Sequence, residues 1–275
     1  MHETSPVRDR VRKLAGPAVR RGRRELQWWR HRSAMRLERV PELVCPNSVF
    51  SHATPLFRGL SGVDHELELG KVANLRLAVG ALDGRMLLPG QRLSFWWFVR
   101  APSARRGFRP GLVLDEGRLQ AGVGGGLCQL TNLLYWMTVH TPLTVVERWR
   151  HTYDVFPDTN RTQPFASGAT CAYPSLDLQI VNETRSRYRL GLIVDDTHLR
   201  GAWTSDQVPV QRYEVYESAH QITHDGPGIY MRRNELRRRV FDLAGREVAD
   251  EFVTANAALM RYHPVLEGPP DRRPA

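Results

Sequence analysis

The amino-acid sequence predicts an α+β fold in which antiparallel sheet packs on a central helix that follows a glycine-rich turn. Three consecutive glycines precede residues 128–140, a segment without glycine or proline. The apolar residues of this segment recur at helical spacing and form a stripe wider than a surface helix needs, so we expect the helix to be buried. Short apolar or alternating segments on either side are separated by turn residues, which is typical of antiparallel strands.

Before the central helix, the pattern changes several times. Apolar residues recur at helical spacing over 64–82, and Asp83 and Gly84 then close the helix. Prolines and glycines predict a loop over 41–63, whereas the largely aromatic residues 93–99 predict a buried strand. The other predicted elements are a helix over 22–40 and two strands, 111–114 and 118–121, joined by a turn at 115–117.

After the central helix, the sequence predicts strands separated by turns. Pro142 stops the helix, because the residue before a proline is disfavoured in the α conformation. Residues 176–182 alternate apolar and polar side chains, as a strand with one buried face does. The predicted strands are 143–149, 169–172, 176–182, 188–194, 210–216, 229–233, 235–242 and 246–256, with turns at Asn234 and Gly245.

The chain is long enough for one sizeable domain with appendages, at 275 residues. We divide it into a basic N-terminal arm (1–40), a core domain (41–215), a C-terminal β-hairpin region (216–267) and a tail (268–275). The tail consists mostly of proline and arginine, and we expect it to be disordered.

Cysteine usage and hydropathy indicate the cellular compartment. Cys45, Cys128 and Cys171 are an odd number at wide spacing, which argues against a disulfide framework. They form no C-x-x-C pair of the kind that binds zinc, and a reducing compartment is the natural expectation. No apolar run approaches the roughly 20 residues needed to cross a bilayer, and the start of the chain has no signal-peptide segment. We therefore expect a cytoplasmic protein without a metal or another cofactor.

Basic residues are concentrated in the first 40 positions. These hold 12 Lys and Arg against 4 Asp and Glu, which gives +8 of the total charge of +10. With Trp28 and Trp29 among the arginines, residues 20–40 suit an anionic membrane surface, at the inner face of the membrane. The charge also suits nucleic acid, but no nucleic-acid-binding signature occurs elsewhere, so we expect no such partner. A solvated extension is the simplest alternative, and we expect the first 20 residues to lie outside the core.

The stretch GVGGGLCQLTN, residues 122–132, is the most informative for function. Glycine is unfavourable inside helices and strands, so Gly124, Gly125 and Gly126 indicate a backbone that needs freedom, for example to approach a ligand. Cys128 begins the helix, where free N–H groups and the helix dipole lower the pKa of a thiol. Two roles for Cys128 stay open, a reactive cysteine and a buried structural cysteine.

Several stretches, occurring in the same order, resemble the VanW family. They are NLRLAVGALDGRMLLPGQRLSFW from Asn74, GGGLCQLTNLLYW, HTPLTVVERWRH and DLQIVNET, and the resemblance covers roughly residues 41–262. It implies an accessory role in glycopeptide resistance or cell-envelope metabolism, with a cell-wall precursor or a related small molecule as partner. It does not supply a reaction. Other members carry this domain outside the membrane, attached to transmembrane and peptidoglycan-binding parts that we do not find here. Asn74 joins the candidate ligand-binding residues on the strength of its motif.

One hypothesis is a cysteine-dependent enzyme. Cys128, then His151, then Asp158 or Asp177 follow the chain order of nucleophile, base and orienting acid in papain-like and cell-wall cysteine peptidases. Gln129, or the amides of Gly126 and Cys128, would stabilise an oxyanion. The reaction would be acyl transfer or hydrolysis on a peptidoglycan-related substrate. Structural roles for these residues stay open as well. His151 would cap a loop, Asp177 would bond a neighbouring backbone group, and Asp158 would be an ordinary turn residue.

The alternative hypothesis is a non-catalytic binding module. The three glycines and the start of the helix would hold a carboxylate or pyrophosphate, and Arg148, Arg150 and His151 would supply cations. A third arrangement, zinc held by Cys128, His151 and Cys171, has little support from the spacing of these residues.

Overall fold

The computed structural model describes residues 6–57, 64–115, 118–155 and 163–263. The α-helices in these ranges are α1 (Pro6–His31), α2 (His65–Leu82), α3 (Phe95–Val99) and α4 (Cys128–Val139). The strands are β1 (Asn47–Pro55), β2 (Met86–Leu87), β3 (Arg92–Ser94), β4 (Pro110–Asp115), β5 (Arg118–Val123), β6 (Thr144–Glu147), β7 (Tyr153–Asp154), β8 (Gln179–Val181), β9 (Tyr188–Val194), β10 (His198–Ser205), β11 (Arg212–Gly226), β12 (Ile229–Phe241) and β13 (Glu247–Met260).

The strands form four sheets, with the orders β1-β10-β9-β2, β11-β12-β13-β7, β3-β8-β6 and β4-β5. Neighbouring strands are antiparallel, apart from a short parallel pairing of β7 with β13. The predicted α+β class with antiparallel sheet is therefore confirmed. Among the described residues, no helix combines the length and the apolar composition that crossing a bilayer requires.

The central helix α4 is buried, as its wide apolar stripe predicts. It packs against β1, β6 and β10, and Leu130, Leu134 and Met137 are fully excluded from solvent. Burial of each such side chain contributes about 1.5–3 kcal/mol to the free energy of unfolding. The indole of Trp203 on β10 donates a 3.1 Å hydrogen bond to Thr138 Oγ1, which fixes the helix on the sheet.

Helix α2 also agrees with the sequence pattern. Its N-terminus is capped by Asp64, whose side chain accepts from the Glu66 N–H at 3.0 Å. The helix lies close against β4: a Cβ added at Gly70 would stand 1.9 Å from the carbonyl oxygen of Pro110. This close approach brings α2 next to the hairpin that leads into the glycine turn.

Residues 93–99 differ from the predicted strand, because the strand ends at Ser94 and α3 follows. Ser94 Oγ accepts from the Trp97 N–H at 3.2 Å, and Asp177 Oδ1 accepts from the Trp96 N–H at 3.0 Å. These two acceptors satisfy N–H groups that would otherwise be left unpaired at a helix start. An aromatic run buried on all sides fits a strand and a short helix equally well, so the pattern could not decide.

The predicted loop over 41–63 contains a strand instead. β1 pairs with β10 along its whole length, and β10 was not predicted either. The prolines that suggested a loop stand at the two limits of the strand: Pro46 precedes it and Pro55 is its last residue. A proline there removes few ladder hydrogen bonds, so it does not prevent strand formation.

The predicted N-terminal arm contributes to the core. Helix α1 begins earlier and ends earlier than the predicted helix over 22–40, and Trp28 on its inner face is 2% exposed. The Trp28 indole donates to Ser94 Oγ at 3.1 Å, and Met35 and Leu37 beyond the helix are buried as well. The expected separation of residues 1–20 from the core stays a prediction.

The C-terminal sheet has longer strands than the sequence indicated. The predicted turn at Asn234 is wrong, because this residue lies inside β12 and is buried. Its side chain donates to the Phe165 carbonyl and to Glu217, and accepts from Asn256 Nδ2, so no turn is needed to satisfy it. The predicted domain boundary at 215/216 falls inside β11. The predicted tail, 268–275, lies outside the described residues.

Candidate functional site

Two thiols meet at the start of the central helix. Cys128 is the first residue of α4, and its Sγ lies 3.9 Å from the Sγ of Cys171 and 3.7 Å from the Cys171 carbonyl oxygen. Both are partly exposed free cysteines. Cys171 is held between two isolated bridges, one joining Thr170 to Trp149 and one joining Ala172 to Leu176. The position of the second thiol is therefore fixed by backbone pairing.

His151 lies beside this pair of thiols. Its imidazole is near enough to Cys128 to act on the thiol both by hydrogen bonding and by charge. The residue follows β6 and comes two positions after Trp149, whose carbonyl accepts from the Thr170 N–H at 2.8 Å. The structure thus brings together the predicted nucleophile and the predicted base, although their catalytic roles stay predictions.

The two thiols differ in acidity. The hydrogen bond from Cys171 lowers the pKa of Cys128 well below its ordinary value, against the opposing effect of burial, and His151 lowers it further. Burial raises the pKa of Cys171 well above its ordinary value, and the neighbouring Cys128 sulfur raises it more. Cys128 is therefore the first to ionise, with the Cys171 S–H group as donor to its thiolate.

The three glycines pack against protein. A Cβ at Gly124 would lie 2.5 Å from a side-chain carbon of Pro102, and one at Gly126 would lie 2.2 Å from Cγ of Lys71. A Cβ at Gly125 would lie 2.2 Å from both the carbonyl carbon and the oxygen of Gly111. Close packing, together with the positive φ of Gly124 (81°) and Gly126 (88°), accounts for the three glycines.

The prediction that the glycine turn binds an anion needs correction, because the N–H group of each of the three glycines already donates a hydrogen bond. The Gly124 N–H donates to the Arg109 carbonyl at 3.0 Å, the Gly125 N–H to Gly122 at 3.0 Å and the Gly126 N–H to Leu112 at 2.9 Å. An anion at this turn would find no glycine N–H to bind.

Asn74, predicted to bind a ligand, holds the turn in place instead. It is fully buried, and its Nδ2 donates to the carbonyls of Arg109 and Gly125, each at 2.9 Å. Its Oδ1 accepts from the Arg109 N–H at 2.8 Å. The side chain of Asn74 therefore links α2 to β4 and to the glycine turn.

The two arginines of the binding hypothesis are also engaged elsewhere. Arg148 donates to the carbonyls of Ala166 and Gly168 and to the side chains of Thr254 and Asn256. Its guanidinium also lies 4.5 Å from the centre of the Tyr135 ring. Arg150 donates to the Ala257 carbonyl. Arg148 therefore joins the core to β13 and is not directed at the glycine turn.

Most of the predicted oxyanion donors already donate hydrogen bonds to other acceptors. Gln129 Nε2 donates to Thr54 Oγ1 at 3.0 Å and to the Pro55 carbonyl at 2.8 Å, and the Gly126 N–H donates to the Leu112 carbonyl. The Cys128 amide donates to no acceptor within the described parts of the chain. Of the groups that the sequence offered, it is the one left to stabilise an oxyanion at the start of α4.

Neither predicted orienting acid is seen against His151. Asp158 lies outside the described residues. Asp177 is fully buried and accepts from Ser94 Oγ at 2.6 Å and from the Trp96 N–H at 3.0 Å, so its contacts are with the core. Burial raises the pKa of Asp177 to about 6, against the effect of these hydrogen bonds. Its position indicates a structural role.

Cys171 is the site residue whose role the sequence did not reveal. The sequence suggests Cys171 only as a zinc ligand, and its separation of 43 residues from Cys128 matches no motif. In the described ranges, no group of three or more His, Cys, Asp or Glu could hold a metal ion, so the zinc arrangement gains no support. What the fold forms at this place is a thiol pair next to an imidazole.

We expect alkylation of Cys128 by iodoacetamide to follow a pKa well below that of an ordinary thiol. Cys171→Ala should move the pH profile of alkylation upward, because the S–H donor is lost. His151→Ala should move it in the same direction by a smaller amount. The rate is measured by mass spectrometry across pH in a Cys45→Ala background. An ordinary profile, or one that does not change in Cys171→Ala, would contradict the assigned acidity.

Comparison with known proteins gives a consistent result. A family model described as "VanW like protein" matches residues 70–204. The chain is 32% identical over 191 residues to the vancomycin B-type resistance protein VanW of Enterococcus faecalis, and the match covers 70% of each chain. It is 30% identical over 82 residues to the uncharacterized protein YoaR of Bacillus subtilis, covering 30% of this chain and 27% of that protein. No solved structure gives a significant match. The chain belongs to the VanW family.

Proposed function

We propose that this chain is an accessory protein of cell-envelope metabolism in which Cys128 is the nucleophile of an acyl transfer or hydrolysis. The observation that carries the proposal is the meeting of Cys128, Cys171 and His151 at the start of α4, with Cys128 as the more acidic thiol. The substrate class is a peptidoglycan-related peptide. Its support is the relative named as a vancomycin B-type resistance protein, which also suggests a role in glycopeptide resistance.

The chemistry follows from the three groups. The Cys128 thiolate attacks a substrate carbonyl carbon, so that an S–C bond forms and the carbonyl oxygen becomes an oxyanion next to the Cys128 N–H. His151 takes the proton that the Cys128 thiol releases and gives it to the leaving nitrogen when the tetrahedral intermediate collapses and the C–N bond breaks. Water, or the amine of an acceptor, then attacks the thioester and loses a proton to His151, and Cys128 leaves as the thiolate. No metal ion and no redox partner enter these steps.

Cys171 acts as a positioning residue in this scheme. Its S–H group donates to the thiolate form of Cys128, and burial keeps Cys171 itself protonated by raising its pKa. A thiol also accepts and donates more weakly than a hydroxyl group, so it stabilises the nucleophile without suppressing its reactivity. We therefore assign Cys171 to the activation of Cys128 and not to bond formation.

We expect Cys128→Ala to reduce turnover at least about 10³-fold, because the nucleophile is lost. The full chain and the variant are incubated with muropeptides released from purified peptidoglycan. Mass spectrometry follows released products and, after acid quenching, an acyl adduct on Cys128.

The controls separate chemistry from packing. Cys45→Ala removes a buried thiol outside the site and should retain turnover and the adduct. Cys128→Ser keeps the size of the side chain and should be as inactive as the alanine variant if the thiolate is required. Wild-type turnover in either Cys128 variant, or no adduct and no product with the wild-type chain, would refute the proposal.

A further inference from the structure

The outward face of α1 carries exposed apolar side chains. Val19 is 50% exposed, Leu26 is 47% exposed and Trp29 is 61% exposed. At roughly 100° per residue, Leu26 lies about 160° and Val19 about 180° around the helix axis from the buried Trp28. The helix therefore has two apolar sides, of which one packs on the core and the other faces solvent.

The inner face fixes the orientation of this helix. Arg24 binds the Glu147 carboxylate, with contacts of 2.7 and 2.5 Å, and the Pro174 carbonyl at 2.9 Å. One turn later, Trp28 binds Ser94. These buried contacts hold α1 on the core, and the fold presents the outward side chains in one direction.

Cations lie beside the exposed apolar side chains. At roughly 100° per residue, Arg30 and Arg23 lie about 20° and 40° around the helix axis from Val19, both on the side away from Leu26. Both are exposed, as is Arg20, and none of the three has an acidic partner in the described part of the chain. The surrounding segment holds 12 Lys and Arg against 4 Asp and Glu over residues 1–40. We call Val19, Arg23, Leu26, Trp29 and Arg30 the outer face of α1.

We propose that the outer face of α1 docks this protein on the surface of an anionic lipid bilayer. The helix lies parallel to the surface, with Leu26 and Trp29 at the boundary between headgroups and acyl chains and the arginines at the lipid phosphates. Charge complementarity selects the lipid: exposed leucine and tryptophan side chains beside arginines match an interface that is apolar on one side and anionic on the other.

A nucleic acid would use the arginines but not the apolar side chains. Phosphate contacts come from cations and N–H donors, so Val19 and Leu26 would gain nothing from a phosphate backbone. The alternation of apolar and cationic side chains on one face therefore favours the bilayer. This difference also gives the experiment its diagnostic variants.

The test is co-sedimentation of the full chain with vesicles, of phosphatidylcholine alone or of an equimolar mixture with phosphatidylglycerol. We expect binding to the anionic vesicles that weakens as salt is raised. Arg23→Gln with Arg30→Gln should lower the partition coefficient about 30-fold. Leu26→Ser with Trp29→Ser should lower it at least about tenfold, because apolar area no longer enters the interface.

Matched controls make the same chemical changes elsewhere on the surface. Arg105→Gln with Arg185→Gln removes two exposed cations, and Leu243→Ser with Phe252→Ser removes two exposed apolar groups. Both control variants should bind like the wild-type chain, and every variant should keep its melting temperature, because the altered side chains are exposed.

Several outcomes would overturn the proposal. They are an absence of binding to anionic vesicles, equal binding to neutral vesicles, and unchanged binding when Leu26 and Trp29 are replaced. Equal losses of vesicle binding in the control variants would also overturn the proposal. Tighter binding to a nucleic-acid duplex than to vesicles, sensitive to the arginines alone, would assign the outer face of α1 to nucleic acid.

Discussion

Replacing Arg24 with methionine is expected to lower the free energy of unfolding by about 3–5 kcal/mol. Arg24 is 7% exposed and binds Glu147, whose side chain is 15% exposed, through two short contacts. It also lies 3.8 Å from the fully buried Asp177. Methionine keeps much of the apolar stem but removes the charge, so two buried carboxyl groups lose their cation.

The pH dependence of this effect has a defined sign. Burial raises the pKa of Glu147, but the hydrogen bonds from Arg24, Trp149 and the Asp177 N–H and the charge of Arg24 together outweigh it, so the pKa is lower in the folded protein than its ordinary value. The stabilisation from this carboxylate is fully present above its unfolded pKa of about 4.3 and is lost as the pH falls through the folded value. The difference between the wild-type chain and Arg24→Met should therefore shrink at acidic pH.

Urea denaturation at several pH values measures both effects. Arg20→Met is the matched control: it makes the same substitution on the same helix at an exposed position, and should change stability by no more than about 0.5 kcal/mol. A loss below about 1 kcal/mol for Arg24→Met would show that α1 does not depend on this ion pair. A difference that grows at acidic pH would contradict the sign given above.

Elements defined by their own periodicity could be predicted from the sequence. The apolar spacing of α2 and α4 gives both helices to within a residue or two, and the strand predicted over 188–194 is β9 with its observed limits. In such elements the spacing of the apolar side chains matches the period of the helix or the strand, so the pattern along the chain contains the necessary information. The fold class follows from these segments.

Elements that depend on distant partners could not be predicted. The aromatic run before Arg100 becomes a helix because Asp177, some 80 residues later, accepts the N–H of Trp96 in its first turn. Asn234 stays inside β12 because Asn256 on the next strand and the Phe165 carbonyl satisfy its amide. An isolated window of sequence contains neither partner.

The candidate site also combines features that the sequence alone predicts with features that depend on distant residues. The position of Cys128 at a helix start and the nearby strand that leads to His151 were visible in the sequence. The function of the glycines was not, because the atoms that exclude a Cβ belong to Lys71, Pro102 and Gly111. Cys171 lies next to Cys128 because of contacts between distant segments, among them the backbone bridges on either side of Cys171.

Replacing Gly125 with alanine is expected to lower the free energy of unfolding by about 3 kcal/mol or more. The new Cβ would lie 2.2 Å from the Gly111 carbonyl carbon and oxygen and 2.7 Å from the Leu112 nitrogen. These are backbone atoms of β4, so they cannot move aside as a flexible side chain can. Gly125 does not have a positive φ, so the loss measures close packing and not backbone strain.

Gly80→Ala is the matched control for this substitution. Gly80 lies in α2 and a Cβ there meets nothing within 4 Å, so alanine should raise the stability by about 0.5–1 kcal/mol. Thermal and urea denaturation of both variants measure the difference between their free energies of unfolding. The displaced turn should also shift the thiol of Cys128, three residues later, and raise the pH at which it is alkylated. If Gly125→Ala instead kept wild-type stability, the turn would be open enough for a ligand, and the close packing assigned to the three glycines would be wrong.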